Sequence, residues 1–256
     1  MSELWLTRAR LKSGALKPLV DRLLKREGDD HHLVWSLFEE DADAKRDFLY
    51  RVETVPGDGE RPGTPTFYVL SQRRPNEASQ LFRVESQPFA PELAPGDHLK
   101  FDLRANPVIR TKHAERKRSS GKNAGEPVVE KRDVIMAAIY GCANDQRAAR
   151  RDEAVVSQSM IWFEKQGAQH GFALVRRDVH HRDGEVTAEV PSFAAGGYRT
   201  RRIFRRYKSA MAFASVDLSG EIEVTDPASF LDALGRGFGS ARAFGCGLML
   251  IRRARR

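Results

Sequence analysis

Cysteine is nearly missing from this sequence. Cys142 and Cys246 are the only two in 256 residues, too few for a disulfide framework and in no metal-ligand spacing. A reduced, cytoplasmic compartment is the expectation. Long apolar runs are absent as well: none reaches the roughly 18 residues of a membrane span. The first residues, MSELWLTRARLKSG, place Arg8 and Arg10 among the apolar side chains and do not read as a signal peptide. Neither a GxGxxG turn following a strand nor a GK[ST] loop occurs, which disfavours a bound nucleotide cofactor. Acid is in deficit, 35 Asp and Glu against 43 Lys and Arg, for a net charge of +8 and a pI near 9.7. That balance points to a polyanionic partner.

What is present is a globular pattern. Hydrophobic residues make up 41% of the chain, enough for one large domain or two small ones. Leu4 to Leu11 alternates as a half-buried strand does. A helix is expected over 15–26, broken by Gly28. A second begins near Asp29–Asp30, with His31, Val34, Trp35 and Phe38 on one face at i, i+3, i+4, i+7 spacing. DFLYRVE, TFYVLSQ, LFRVES and HLKFDLRA read as strands between Pro and Gly punctuation. Strand, helices, then strands suit an α+β helix-on-sheet unit of the ferredoxin-like kind.

Beyond Asn106-Pro107 the composition shifts. Residues 110–127 read as a basic, Gly/Ser-rich loop or linker. The span 130–152 reads as interrupted helix, and 153–167 as an amphipathic helix with Gly167 as C-cap. A strand is expected over 171–177. A hairpin over 210–226 turns at Ser219-Gly220. Asp226-Pro227 then caps a short helix, and GLMLIRR closes the chain as a strand. The two halves have compatible element orders without a residue-level repeat.

The positive charge is clustered. YRTRRIFRRYK, residues 198–208, carries six Lys/Arg and no acid; 111–122 carries five and one acid; four arginines surround Ala254. Each run read alone suits a solvated face equally well. None has the broad apolar face of a membrane-surface helix. Tyr198, Phe204 and Tyr207 interleave with the first run, and arginine with aromatics suits phosphate and unpaired bases. Gly237, Gly239, Gly245 and Gly247 form GxG-x5-GxG around Arg242. They make either a tight helix–strand turn or a cradle of bare N–H groups for phosphate.

Four stretches together resemble one family. WLTRARL opens the chain. HHLVWSLFEEDADAKRDFLYRVE follows a His-x-x-x-Trp-x-Leu-Phe helix into an acidic loop and an Arg-Asp-Phe-Leu strand. LKFDLRANPV and GRGFGSARAFGCGLMLI complete the set. In this order they resemble the type I-E CRISPR repeat-processing endoribonucleases, the CasE family. The resemblance is weakest over 110–210.

That resemblance implies an α+β fold of two tandem ferredoxin-like (RRM-like) domains, divided here into 1–106 and 107–256. It implies binding of a CRISPR repeat hairpin by a basic hairpin of the second domain. A single cut at the 3′ base of the stem would follow, without metal or cofactor, leaving 2′,3′-cyclic phosphate and 5′-hydroxyl ends. The enzyme would stay bound as a Cascade subunit. Its catalytic histidine falls on His31. Some members place a tyrosine a few residues before that histidine; here Glu27, Gly28, Asp29 and Asp30 stand there, so the second proton-transfer partner is left open, with His32 or a basic residue such as Arg242 to stabilise the charged phosphorane. RNA contacts are expected from Arg104, Arg199, Arg201, Arg202, Arg205, Arg206, Lys208, Arg242 and the Gly237–Gly247 loop. Weaker candidates are His32, Lys112, Arg116, Lys117 and Arg118. The rival reading is a non-catalytic hairpin-binding subunit of the same architecture.

Overall fold

A computed structural model describes residues 3–12, 30–38, 45–54, 65–117, 125–180, 186–203 and 211–254. The helix expected over 15–26 lies outside these residues.

Two antiparallel sheets organise the chain. The first contains β1 (Trp5–Leu11), β2 (Phe48–Thr54), β3 (Pro65–Ser71) and β4 (Phe82–Pro88), in the order β2-β3-β1-β4. The second contains β5 (His98–Ala105), β11 (Phe193–Ile203), β12 (Met211–Val224) and β13 (Met249–Arg253), in the order β11-β12-β5-β13, with β8 (Phe172–Leu174) beside the end of β12. In each sheet the first strand pairs with both the third and the last, and the second strand flanks the third. That is the ferredoxin-like order, present twice.

Alternation along the strands explains the layers. Ala9, Phe48, Tyr50, Phe67, Val69 and Phe82 form one buried face with Leu33, Val34, Leu37 and Phe38, the last four on or just past α1 (Asp30–Trp35). In the second sheet, Leu99, Phe101 and Leu103 pack with Trp162 and Phe163 of α3 (Asn144–His170) and Phe230 and Leu234 of α4 (Pro227–Arg236). The opposite sheet faces meet through Leu49, Leu70 and Leu248, with Leu4, Leu6 and Leu250 packed around them. No helix among the described residues is long and apolar enough to cross a membrane.

Five expectations change. Residues 110–127 are not simply linker: β6 (Val108–Lys117) pairs with β7 (Pro127–Asp133) as a two-stranded hairpin off both sheets. Its exposed polar residues hid the strand signal. The span 130–152 is interrupted helix as expected from Val134 on, α2 (Val134–Ile139) and the first turns of α3, but 130–133 are the end of β7. Gly167 lies inside α3, where a Cβ would strike the Phe172 carbonyl oxygen; the left-handed C-cap is Gly171, whose N–H bonds to the Gly167 carbonyl. The hairpin expected over 210–226 is instead one strand, β12, through Ser219-Gly220. Pairing with β11 and β5 on both sides keeps it extended, and position 220 is glycine because the Ser192 carbonyl oxygen leaves no room for a Cβ. Finally, β5 belongs to the second sheet, so division by sheet membership falls before His98 rather than at 106. The hairpin β9 (Arg176–His180) and β10 (Val186–Pro191) completes the strands.

Candidate functional site

The Asp226 carboxylate accepts from the Ser229 N–H, and Pro227 stands in the first turn, so α4 starts as its sequence predicts. Its C-terminal end leads into the glycine-rich loop. Gly237, Gly239, Gly245 and Gly247 all have positive φ, between +74° and +92°. The Gly237 N–H bonds to the Ala233 carbonyl, and the Gly247 N–H to the Arg104 carbonyl, at 2.8 Å each. Ser240 N–H bonds to the Asn106 carbonyl at 3.3 Å. The close neighbours demanded by the glycines are therefore protein: a Cβ on Gly237 would lie 2.7 Å from a Leu49 methyl, and one on Gly239 2.9 Å from the Asn106 oxygen. The Gly237 and Gly247 amides are taken up by the end of α4 and by β5 and are not cradle donors. The Leu-Arg-Ala-Asn-Pro stretch is its scaffold.

Arg104 also departs from expectation. Its guanidinium bonds to both oxygens of Asp217, at 2.7 and 3.0 Å, and donates to the Val52 carbonyl at 3.0 Å. The side chain is 15% exposed. It ties the two sheets together, with its nitrogens turned to protein.

His31 starts α1 half-buried, while His32 is exposed, as the apolar stripe predicts. The two rings lie 3.9 Å apart between centroids. The helix packs against a 3-10 turn, Arg242–Phe244, inside the glycine-rich loop. Arg201 links these parts. Its Nη1 donates to the Phe244 carbonyl at 2.9 Å, and its Nη2 lies 3.9 Å from Asp30 Oδ2. Tyr50 makes the next tie, donating to the Ala243 carbonyl at 3.1 Å. Burial, then the Asp30 charge, holds its phenol well above the usual range. Tyr50 thus stays protonated as an anchor for the loop.

Beside the loop opens a cleft of about 590 Å³, bounded by Gly239–Phe244, the β6/β7 hairpin and the start of β12. Arg46, Arg110, Lys131 and Arg242 line it, with Asp133 as its carboxyl group. Burial, then Arg46, Arg110 and Arg236, pushes the Arg242 guanidinium below its ordinary value. Burial holds Asp133 above the usual carboxylate range. The cleft is strongly positive and suited to an anion. A second cleft, about 600 Å³, is lined by neither α1 nor the glycine loop. Its Arg177 is paired with Glu221 at 2.6 Å, so it offers a polyanion less.

The remaining candidates divide clearly. Arg199 and Arg202 are exposed on β11, and Lys117 is exposed at the end of β6. Lys112 and Arg116 are placed on β6 by the backbone alone. Arg118, Arg205, Arg206 and Lys208 lie outside the described residues. Sequence reasoning missed Arg46, Lys131 and the role of Arg110. Arg46 stood between acids in DADAKRD, where local charge nearly cancels. Lys131 stands in a span whose spacing reads as interrupted helix.

Fold and site together define a tandem ferredoxin-like protein with a cationic cleft beside its glycine-rich loop, on the turn that its first helix packs against. The family model described as CRISPR associated protein matches residues 4–253, and the chain belongs to that family. It is 26% identical over 224 residues to the CRISPR system Cascade subunit CasE of Escherichia coli, covering 86% of this chain and 89% of that protein. It is 27% identical over 165 residues to the CRISPR-associated endoribonuclease Cse3 of Thermus thermophilus, covering 64% and 60%. Among solved structures, Thermus thermophilus Cse3 bound to an RNA representing a pre-cleavage complex shares the fold, with TM-score 0.60, 24% identity and coverage of 98% and 99%.

Proposed function

We propose that this chain is a metal-independent endoribonuclease that binds the CRISPR repeat hairpin and cuts the precursor at the 3′ base of the stem. It then remains on the product as a Cascade subunit in the cytoplasm. The observation that carries the reading is the packing of the His31 helix against the Arg242–Phe244 turn, beside a cleft lined by four cations. The relatives' names, a Cascade subunit and an endoribonuclease, support it.

The reaction is a transesterification. The ribose 2′-OH gives up its proton, O2′ bonds to phosphorus, the P–O5′ bond breaks, and O5′ takes a proton. General acid–base help contributes roughly 10² to 10⁴ in rate. His31 is the imidazole for one of these transfers. Arg242 offsets charge on the phosphorane. Arg199 and Arg202 on β11 and the basic β6/β7 hairpin grip the stem through its phosphates. The N-terminal unit carries His31, and the C-terminal unit carries the RNA-gripping surfaces.

The test is incubation with a repeat stem-loop RNA in excess EDTA, with analysis of both product ends. A 2′,3′-cyclic phosphate and a 5′-hydroxyl, lost in His31→Ala with hairpin affinity kept, are the expected result. Binding without cleavage by the wild type would make the chain a hairpin-binding subunit instead.

A further inference from the structure

We infer that the cleft beside the glycine-rich loop is a subsite for one unpaired nucleotide, its base against the Phe213/Phe244 pair and its phosphates met by Arg46, Arg110, Lys131 and Arg242. The inference rests on the RNA-binding reading above and specifies what that RNA presents here.

Three observations carry it. Phe213 and Phe244 both line the cleft, stack at 5.5 Å between centroids and 29° between planes, and are each half-buried. A core pair would be sealed from solvent. This pair sits at the wall of an open cleft, where a further ring system extends the stack. The volume, about 590 Å³, lies in the range that accepts a small ligand such as one nucleotide. A paired base cannot enter a cleft of this size without its partner strand, and inside the stem both its faces are covered, so the ring that enters here is unpaired.

The cations form the second observation. Arg110 and Lys131 stand directly opposite each other in the β6/β7 ladder. Like charges so placed weaken a two-stranded hairpin, and this hairpin has no third strand to support it among the described residues. Arg46 faces the same space, and so does Arg242, whose Nε and Nη1 donate to the Gly239 and Arg236 carbonyls at 3.2 and 2.6 Å. The cleft's carboxyl group, Asp133, already accepts from the Tyr198 hydroxyl at 3.1 Å and the Met136 N–H at 2.8 Å. A phosphate bound among these four cations relieves their mutual repulsion.

The third observation is position. Phe244 belongs to the turn that packs against the His31 helix, and its carbonyl is held by Arg201, which also faces Asp30. A nucleotide stacked on Phe244 therefore lies next to the linkage that His31 would act on. Drawing that nucleotide out of line helps the 2′-oxygen, phosphorus and leaving oxygen align, which stacked A-form geometry prevents.

The experiment uses the full chain and repeat stem-loop RNAs with single-stranded flanks. Each nucleotide around the stem base is replaced in turn by an abasic ribose. One unpaired position should weaken wild-type binding about tenfold. That sensitivity should vanish in Phe244→Leu, which keeps an apolar side chain but loses the ring. 2-Aminopurine at the same position should lose fluorescence on binding to wild type and not to Phe213→Leu. The fluorescence readout stands even if Phe244→Leu does not fold. Absence of any sensitive unpaired position, or unchanged sensitivity in the variants, overturns the subsite. Failure of the intact stem-loop to bind at all would instead overturn the RNA-binding reading.

Discussion

Arg201 and Asp30 join the two halves of the candidate site across 3.9 Å, with side chains 13% and 15% exposed. Arg201 stands in the most basic run of the sequence, yet it faces the start of the His31 helix and the carbonyl of Phe244. Its neighbours Arg199 and Arg202 are exposed on the same strand. One run of arginines thus serves two purposes.

Asp30→Asn and Arg201→Gln are expected to slow single-turnover cleavage about a hundredfold, the cost of a misplacement near 1 Å. Hairpin affinity should stay within about threefold. The double variant should be little worse than either single, because both remove one link. Weaker binding at an unchanged rate would place Arg201 on the RNA instead.

Arg104→Ala should cost about 2–3 kcal/mol in urea unfolding, from the loss of a partly buried, charge-assisted group of hydrogen bonds. The value is kept modest because Asp217 is 38% exposed. An unfolding midpoint equal to wild type would remove Arg104 from the sheet-to-sheet tie.

Gly247→Ala should be worse than Gly96→Ala. Both positions have similar φ, +92° and +85°, but a Cβ at 247 would lie 2.9 Å from the Phe238 oxygen, while at 96 it meets open space. Expected losses are about 3 and about 1 kcal/mol. Equal losses would mean that the loop yields to the added methyl.

Salt dependence reports the cleft. Arg46→Ala, Arg110→Ala and Lys131→Ala should each lower the log–log slope of hairpin binding by about 1. Arg8→Ala, whose guanidinium is paired with Glu85, should leave it unchanged. A slope unmoved by all three cleft variants removes their phosphate contacts.

The two thiols should differ. Cys246 is fully buried, and burial pushes its thiol up to about 11; Cys142 is half-buried. At pH 7.5 a thiol reagent should modify one cysteine in the native protein and two after denaturation. Rapid modification of both without denaturant would contradict the packing of the glycine loop around Cys246.

Much of the fold was legible because local signals agreed with one another. The His31, Val34, Trp35 and Phe38 stripe predicts a helix; the helix found, Asp30–Trp35, buries Val34, and Phe38 is buried just past its end. Asp226-Pro227 started a helix where capping chemistry puts one. Errors arose where a long-range neighbour changed the meaning of a local signal. Ser219-Gly220 looked like a turn, but β11 and β5 flank that strand on both sides and keep it straight. Gly167 looked like a cap, but the approach of Phe172 explains it. The β6/β7 hairpin has few apolar residues to announce it.

By itself the amino-acid order determined which segments carry apolar stripes, where the Asp226-Pro227 helix starts, and that the molecule is cationic with glycine concentrated near its end. These are properties of neighbours along the backbone, and they need no partner to be read. Tertiary structure alone decided which cations are available. Arg104 and Arg201 are held by Asp217, Asp30 and carbonyl groups far away in the chain. Arg46, Arg110 and Lys131, far apart in the chain, converge on one cleft with Arg242, which is partly held by the Gly239 and Arg236 carbonyls. Charge is counted residue by residue, but the field it makes depends on distance and desolvation, and folding sets both.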